Sequence, residues 1–424
     1  MEPTGLYTDQ YELTMLSAAL ADGTAHRRCS FEVFGRRLPE LRRFGVVAGT
    51  ERFLAALAEF RYSDEELAIL TRQRVIDDRC AEYLAGYRFT GDITGYAEGE
   101  PYFPNSPILT VTASFAEAVV LETLVLSILN HDSAIAAAAA RMVIAAGGRP
   151  LIEMGSRRTH EAAAVAAARA AYLVGFAATS NLAAGARFDV PTAGTAAHAF
   201  TLLHDEESTA FASQIAALGT GTTLLVDTYD IHRGIERAVE VAGAELGAIR
   251  IDSGDLTVLA RQARDQLDSL GATRTKIVVS GDLDEFSIAA LAAAPVDSYG
   301  VGTSLVTGSG VPTAGLVYKL VEVDGRPVAK RSENKSTHGG RKQAWRRHRE
   351  SGTATEEFVV REAAGFEPEE RDRLLTLPLL ANGETVVDVS LAAARDHHRR
   401  AVVALPWEAL KLSRGEPGLP VSLI

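Results

Sequence analysis

The sequence predicts an α/β fold whose middle is a closed or nearly closed parallel barrel. Three observations predict it. Between residues 149 and 305, short apolar runs alternate with helix-like stretches. Such alternation means βαβ units and a parallel sheet, and about seven successive units favour a barrel over an open sheet. On either side the rhythm breaks, so the barrel is not the whole chain.

Taken in order, residues 1 to 115 mix a helix-like segment, "DQYELTMLSAALADG", with β-like runs, "CSFEVFGR" and "PILTVTA". The apolar zone from Ala118 to Ala146 is interrupted by Glu122, His131, Asp132 and Arg141, which makes it a buried helix rather than a bilayer span. The runs "PLIEM", "LVGFAA", "VPTAGTAA", "TTLLV", "AIRI", "KIVV" and "DSYGVG" are the expected strands. Between them "HEAAAVAAARAAYL", "DIHRGIERAVEVA" and "DLTVLARQARDQLDSL" are expected helices. In the last, Leu256, Leu259, Ala260 and Ala263 share one face. Residues 317 to 360 read as antiparallel β, with a D-G turn in "VYKLVEVDGRPVAKRS". The basic run "GGRKQAWRRHR" reads as a solvated strand or hairpin edge, and "VVALPWEALKLSRGEP" as a helix plus loop.

Composition narrows the function. With 424 residues, 47% of them hydrophobic, the chain can bury a large core in more than one domain. A net charge of -12 argues against nucleic acid or an anionic membrane as partner. An anionic ligand must therefore be held by a local cluster of cations and backbone N–H groups. Two cysteines, Cys29 and Cys80, suit a reducing compartment. With no basic and apolar leader at the N-terminus, the expected location is the cytoplasm.

In a barrel, chemistry gathers where strands end and loops begin. Those positions hold Arg157 and Arg158, Ser180 and Asn181, His198, Asp227 and Asp230, Arg250 with Asp252 and Asp255, Gly281 with Asp282, and Gly302 with Thr303. The tetrapeptide S-G-D-L occurs twice among them, starting at Ser253 and Ser280. Glycine lets backbone approach a ligand, and the carboxylate that follows either caps a helix or handles hydroxyls and metal. Asp255 and Asp282 read first as caps. Gly281 and Gly302-Thr303 suit a phosphate. Arg157 and Arg158 are either an anion cluster or plain surface charge. His198 is either a core histidine or a functional one, and the acids after His204 read as an exposed helix start. There is no P-loop, no G-x-G-x-x-G after a first strand and no H-E-x-x-H.

A dozen motifs then occur in a recognisable order: "TDQYELTM", "FEVFGR", "FPNSPILTV", "LETLVLSILNHDSAIA", "EMGSRR", "TSNLAAG", "GTAAHAF", "DTYD", "RIDSGDL", "SGDLDE", "DSYGVGTSLV" and "YKLVE". Over about residues 5 to 345 the chain resembles the nicotinate phosphoribosyltransferase family. That resemblance implies an irregular, TIM-like α/β barrel over residues 116–314. It also implies a smaller α/β sheet domain built from both chain ends, residues 1–115 with 315–424. The implied reaction is ATP-coupled transfer from 5-phosphoribosyl-1-diphosphate to nicotinate, in a homodimer with shared sites. Tyr11 would stack on the pyridine, and Arg157 would meet the nicotinate carboxylate or the sugar phosphate. Asp252, beside Arg250, would hold ribose hydroxyls, with Asp227 in the same substrate set. Gly281, Gly302 and Thr303 would cradle the 5-phosphate. Magnesium would ride on the diphosphate rather than in a protein cage. ATP would phosphorylate His198.

Two positions depart from the family pattern. Met154 stands where an aromatic is common, and Ser106 where an acid is usual. Rivals are a nicotinamide- or quinolinate-using relative and a non-catalytic ligand-binding protein on the same barrel. Ser180 favours the acid, because the amide-using relative carries an aspartate there. An aspartate about 4 Å from a substrate carboxylate would cost roughly 4 kcal/mol at an effective dielectric near 20.

Overall fold

The computed structural model describes residues 4–39, 41–330 and 338–424. The chain forms two compact units, one made of Met1–Ala137 and Val311–Ile424, the other of Ala138–Gly310.

The second unit is the barrel. Its strands are β1 (Leu151–Glu153), β2 (Ala178–Thr179), β3 (Thr223–Leu225), β4 (Ala248–Ile251), β5 (Lys276–Val279) and β6 (Ser298–Val301). All neighbours are parallel, in the order β2-β1-β6-β5-β4-β3. The first strand pairs with the last, Leu151 opposite Tyr299 and Glu153 opposite Val301. The first and last strands of the chain order are thus neighbours, as in a barrel wall. A single bridge from Thr179 to Thr192 adds a seventh, rudimentary member. Between that member and β3 no strand pairing occurs among the described residues, so the barrel is open at one seam.

The seam has a sequence cause. "LVGFAA" and "VPTAGTAA" were expected to be full strands. The first begins as the end of the helix Glu161–Val174, stopped by Gly175 at φ 130, and leaves only β2. The second, with Pro191 lacking an N–H and alanines and a glycine in place of β-branched residues, yields one bridge. The β-branched runs fare better: Ile249 and Ile251 of β4 and Ile277 and Val279 of β5 are fully buried. On the outer helix Leu256–Ser269, Ala260, Ala263 and Leu267 make the buried face.

The unit built from both ends is the larger of the two, not the smaller, and its sheets are mainly antiparallel. Strand Arg28–Gly35 lies between Leu109–Ser114 and Leu316–Val323, so the two chain ends share one seven-stranded sheet. Asp324 (φ 48) and Gly325 (φ 74) make the expected turn after Val323. The expected continuation of this hairpin, from residue 331 to 337, lies outside the described residues.

The basic run is not a solvated edge. It forms Lys342–His348 of a four-stranded sheet, and its alternate residues point inward. Buried Lys342 donates to buried Glu32 at 2.6 Å. Arg346, 1% exposed, sits between the carboxylates of Glu100 and Glu357, and donates to Glu357 at 2.8 Å and to the Pro101 carbonyl at 2.7 Å. Period-2 alternation on a strand buries every second side chain, and a buried cation needs a carboxylate.

The same network accounts for Ser106. Its hydroxyl and that of Tyr96, which is 2.6 Å away, both donate to Glu357. Both side chains are fully buried. An acid at position 106 would add a third carboxylate where only Arg346 is at hand for Glu357.

The helix Glu122–Ala146 is the one described helix long and apolar enough to cross a membrane, and two-thirds of its most apolar stretch is buried within the protein.

Candidate active site

The ends of β1, β4, β5 and β6 surround a cleft lined by Met154, Arg157, Arg158, Arg250, Asp252, Ser280, Gly281, Asp282, Gly300, Gly302 and Thr303. A continuation of it is lined by Ser156, Ser180, Thr195, His198 and Leu225, and shares Met154, Arg157, Arg250 and Asp252. Of the expected residues, Arg157, Ser180, His198, Arg250, Asp252, Gly281, Gly302 and Thr303 are thus gathered in one place. Tyr11 is not among them. It lies on the helix Gln10–Asp22 of the other unit, 46% exposed.

Arg250 on β4 is the fixed point. Its three nitrogens reach Ser280 Oγ (2.7 Å), Thr195 Oγ1 (3.0 Å) and Asp252 Oδ1 (2.7 Å). Ser280 Oγ also donates to Asp252 Oδ1. Burial works against ionisation of Asp252, but the hydrogen bonds from Ser280 and Arg250 outweigh it and hold its carboxyl below the usual range. Asp252 is therefore a fixed anion on the wall of a cleft otherwise rich in cations.

Asp227 fixes the next loop from behind. Its Oδ2 accepts from the backbone N–H of Asp252 (2.8 Å) and the hydroxyl of Ser253 (2.9 Å). Its Oδ1 is buried without a hydrogen-bond partner among the described residues, and His198 Nε2 lies 3.9 Å from it. His198 opens the short helix His198–Leu202, with Nδ1 3.2 Å from Thr228 Oγ1.

The two S-G-D-L loops differ. Asp255 caps the helix Leu256–Ser269, accepting from the backbone of Thr257 and Val258, as expected. Asp282 is not a cap: Asp284 caps the next helix, Glu285–Ala290. Asp282 instead stands exposed in a left-handed conformation (φ 46) on the cleft wall. Gly281 has φ 108, and a Cβ there would stand 2.3 Å from the Asp252 carbonyl oxygen, so no other residue fits. Gly302 precedes the four-residue helix Thr303–Val306. Met154 lies against Gly300, where a Cβ would come within 2.8 Å of its sulfur. Its side chain thus lines the cleft beside Gly300.

Sequence reading passed over Ser280, Thr195 and Thr228. All three lie inside motifs read for other residues, and only their geometry marks them.

Comparison with known proteins settles the family. The description of the nicotinate phosphoribosyltransferase N-terminal domain matches residues 6–130, and that of the nicotinate phosphoribosyltransferase family matches residues 150–362. The chain belongs to the nicotinate phosphoribosyltransferase family. It is 64% identical to a nicotinate phosphoribosyltransferase of Mycobacterium tuberculosis, covering 100% of this chain and 96% of that protein. It is 41% identical to the Bacillus subtilis nicotinate phosphoribosyltransferase over 80% of this chain and 72% of that one. The crystal structure of the human nicotinic acid phosphoribosyltransferase superposes with a TM-score of 0.85 at 26% identity, covering 98% of this chain and 97% of that one.

Proposed function

We propose that the cleft transfers the phosphoribosyl group of 5-phosphoribosyl-1-diphosphate to nicotinate, giving nicotinate mononucleotide and diphosphate in NAD salvage. The observation that carries this reading is an ionised Asp252, locked by Arg250 and Ser280, inside a cleft with Arg157 and Arg158 on its wall. The bond broken joins the anomeric carbon to the diphosphate, and the bond formed joins that carbon to the pyridine nitrogen. The transition state carries oxocarbenium charge, which a fixed carboxylate near the ribose offsets. Arg157 and Ser180 take the nicotinate carboxylate, and the Gly281 and Gly302-Thr303 turns take the 5-phosphate. Magnesium bound to the diphosphate would offset the charge of that leaving group. Asp252 and Asp282 are the carboxylates on the cleft wall, and one or two carboxylates beside phosphates suit magnesium. Formation of nicotinate mononucleotide from the two substrates is the assay that tests the reading.

Substrate choice tests it more sharply. Ser180 is exposed at the cleft, so solvent screens part of any charge placed there. Ser180→Asp should still lower kcat/KM for nicotinate by about tenfold or more, with the wild type strongly preferring nicotinate to nicotinamide. Equal use of acid and amide by the wild type would remove this assignment.

ATP coupling is assigned to His198. With Nδ1 beside the Thr228 hydroxyl, Nε2 is the nitrogen that takes the γ-phosphoryl group, releasing ADP. Hydrolysis of the phosphohistidine then returns the ring. His198→Ala should lose ATP hydrolysis and ATP stimulation while keeping a slow transfer. The measurement is acid-labile, base-stable label from γ-labelled ATP; a wild type that takes up none shows the assignment to be wrong.

The same reading makes the working enzyme a homodimer in which exposed Tyr11 reaches the partner's pyridine site. A fully active monomer in sedimentation would exclude that arrangement.

A further inference from the structure

The side chain of Glu153, the last residue of β1, is completely buried, and among the described residues no ion pair joins it to a cation. Its Oε1 accepts the backbone N–H of Gly155, and its Oε2 accepts the hydroxyl of Thr179 at the end of β2. Burial pushes its carboxyl above the usual range, although both hydrogen bonds pull it down. Such a group is costly to bury without a paired charge. Its contacts point to what it does.

From the two oxygens the contacts spread into both loops that carry Arg157 and Ser180. The Thr179 hydroxyl accepts the Asn181 N–H at 2.9 Å, and the Asn181 side chain donates to Ser156 Oγ at 2.9 Å. The Ser180 N–H donates to the Glu153 carbonyl at 2.8 Å. Gly155 leaves no slack: a Cβ there would stand 2.3 Å from Val306 and 2.9 Å from the Gly302 carbonyl. One carboxylate therefore clasps the 154–158 loop to the 179–181 loop, and the 154–158 loop is itself pressed against the 302–306 turn.

We propose that Glu153 is a positioning residue that sets the spacing of Arg157 and Ser180, and so the fit of the pyridine carboxylate, without touching substrate. This rests on the assignment of Arg157 and Ser180 to nicotinate. A carboxylate suits the task because it accepts at both ends. An amide of the same shape must turn a donor toward either the Gly155 N–H or the Thr179 hydroxyl. The hydroxyl can accept that donor beside the Asn181 N–H only by turning its own proton away from position 153, which leaves that proton without its acceptor.

The test uses the full-length enzyme. In Glu153→Gln, KM for nicotinate should rise about tenfold, the effect of a lost buried hydrogen bond. kcat and KM for phosphoribosyl diphosphate should stay within about threefold, on the same scale. Amide hydrogen exchange should quicken at residues 155–158 and 180–182 alone. Thr179→Val should behave like Glu153→Gln, Thr179→Ser should restore wild-type values, and the double variant should be no worse than either single one. Exchange unchanged in these loops, or an apparent kcat that falls with the folded fraction while both KM values stay at wild type, would overturn the clasp. Arg157→Ala separates the two readings. If it raises KM for nicotinate while Glu153→Gln does not, the clasp is wrong. If exchange quickens as expected and neither variant moves that KM, the nicotinate assignment is wrong, and the functional half of this inference with it.

Discussion

Arg346→Ala should destabilise the end-built unit by about 3–5 kcal/mol, the usual consequence of leaving buried charge unpaired. Three features raise it above an ordinary ion-pair loss. Arg346 and both its carboxylates, Glu100 and Glu357, are at most 1% exposed, so water cannot replace the guanidinium. Glu100 would keep Arg373 at 2.8 Å and His397 at 2.6 Å, but Glu357 would keep only the hydroxyls of Tyr96 and Ser106. And the planar guanidinium fork spans Glu100, Glu357 and the Pro101 carbonyl together, a wider spread than a compact ammonium reaches. Arg346→Lys should therefore fall between the wild type and the alanine variant. Burial opposes the charge on Glu100, yet Arg346, His397 and Arg373 hold its carboxyl well below the ordinary 4.5. Its contribution is thus present at and above that pH and is lost only as the pH falls further, through the folded-state value. Urea midpoints of both variants at neutral pH are the measurement. An alanine variant within about 1 kcal/mol of wild type would mean the network is not held by this arginine.

This network shows where sequence reading stops. Lys342 and Arg346 stand in a run of cations, and a run of cations reads as solvated. What buries them is strand alternation combined with Glu32 and Glu100, more than two hundred residues away in sequence, and with Glu357 on the neighbouring strand. No local pattern carries that pairing. The barrel was more legible, because β-branched runs such as "AIRI" and "KIVV" declare buried strands wherever they occur. Where alanine and glycine replace them, in "VPTAGTAA", composition no longer separates strand from loop, and the barrel opens there. Arg250, Asp252 and His198 were expected at one cleft because strand ends in a barrel converge, and they line it together. Glu153 was missed because a lone acid inside an apolar run carries no sign of what it will accept. Asp282 was misread because Asp284, two residues on, competes for the same cap and wins.

Asp252→Asn should lower kcat/KM for phosphoribosyl diphosphate by about 10²–10³ while leaving the folded unit intact. The carboxylate lines the cleft together with Gly281, Gly302, Thr303 and Arg157, so on the proposed reading it would face the ribose, and its charge is set before substrate arrives. Arg250 and Ser280 both donate to Oδ1, and the Asp227 carboxylate holds the backbone on which it stands. An asparagine oxygen can still accept from Arg250, so the loop keeps its frame. What disappears is the negative charge that an oxocarbenium centre meets, and that interaction grows only as the bond to diphosphate breaks. The loss should accordingly fall on kcat at saturating substrate as well as on kcat/KM. Since the carboxyl is held below its ordinary 3.8, any limb from Asp252 in wild-type activity should have its midpoint below that value. Steady-state kinetics across pH 5–9, with the thermal midpoint as control, decide the matter. If the asparagine variant turns over phosphoribosyl diphosphate at the wild-type rate, the charge at position 252 plays no part in the chemistry, and Arg250 is left as a binding group alone.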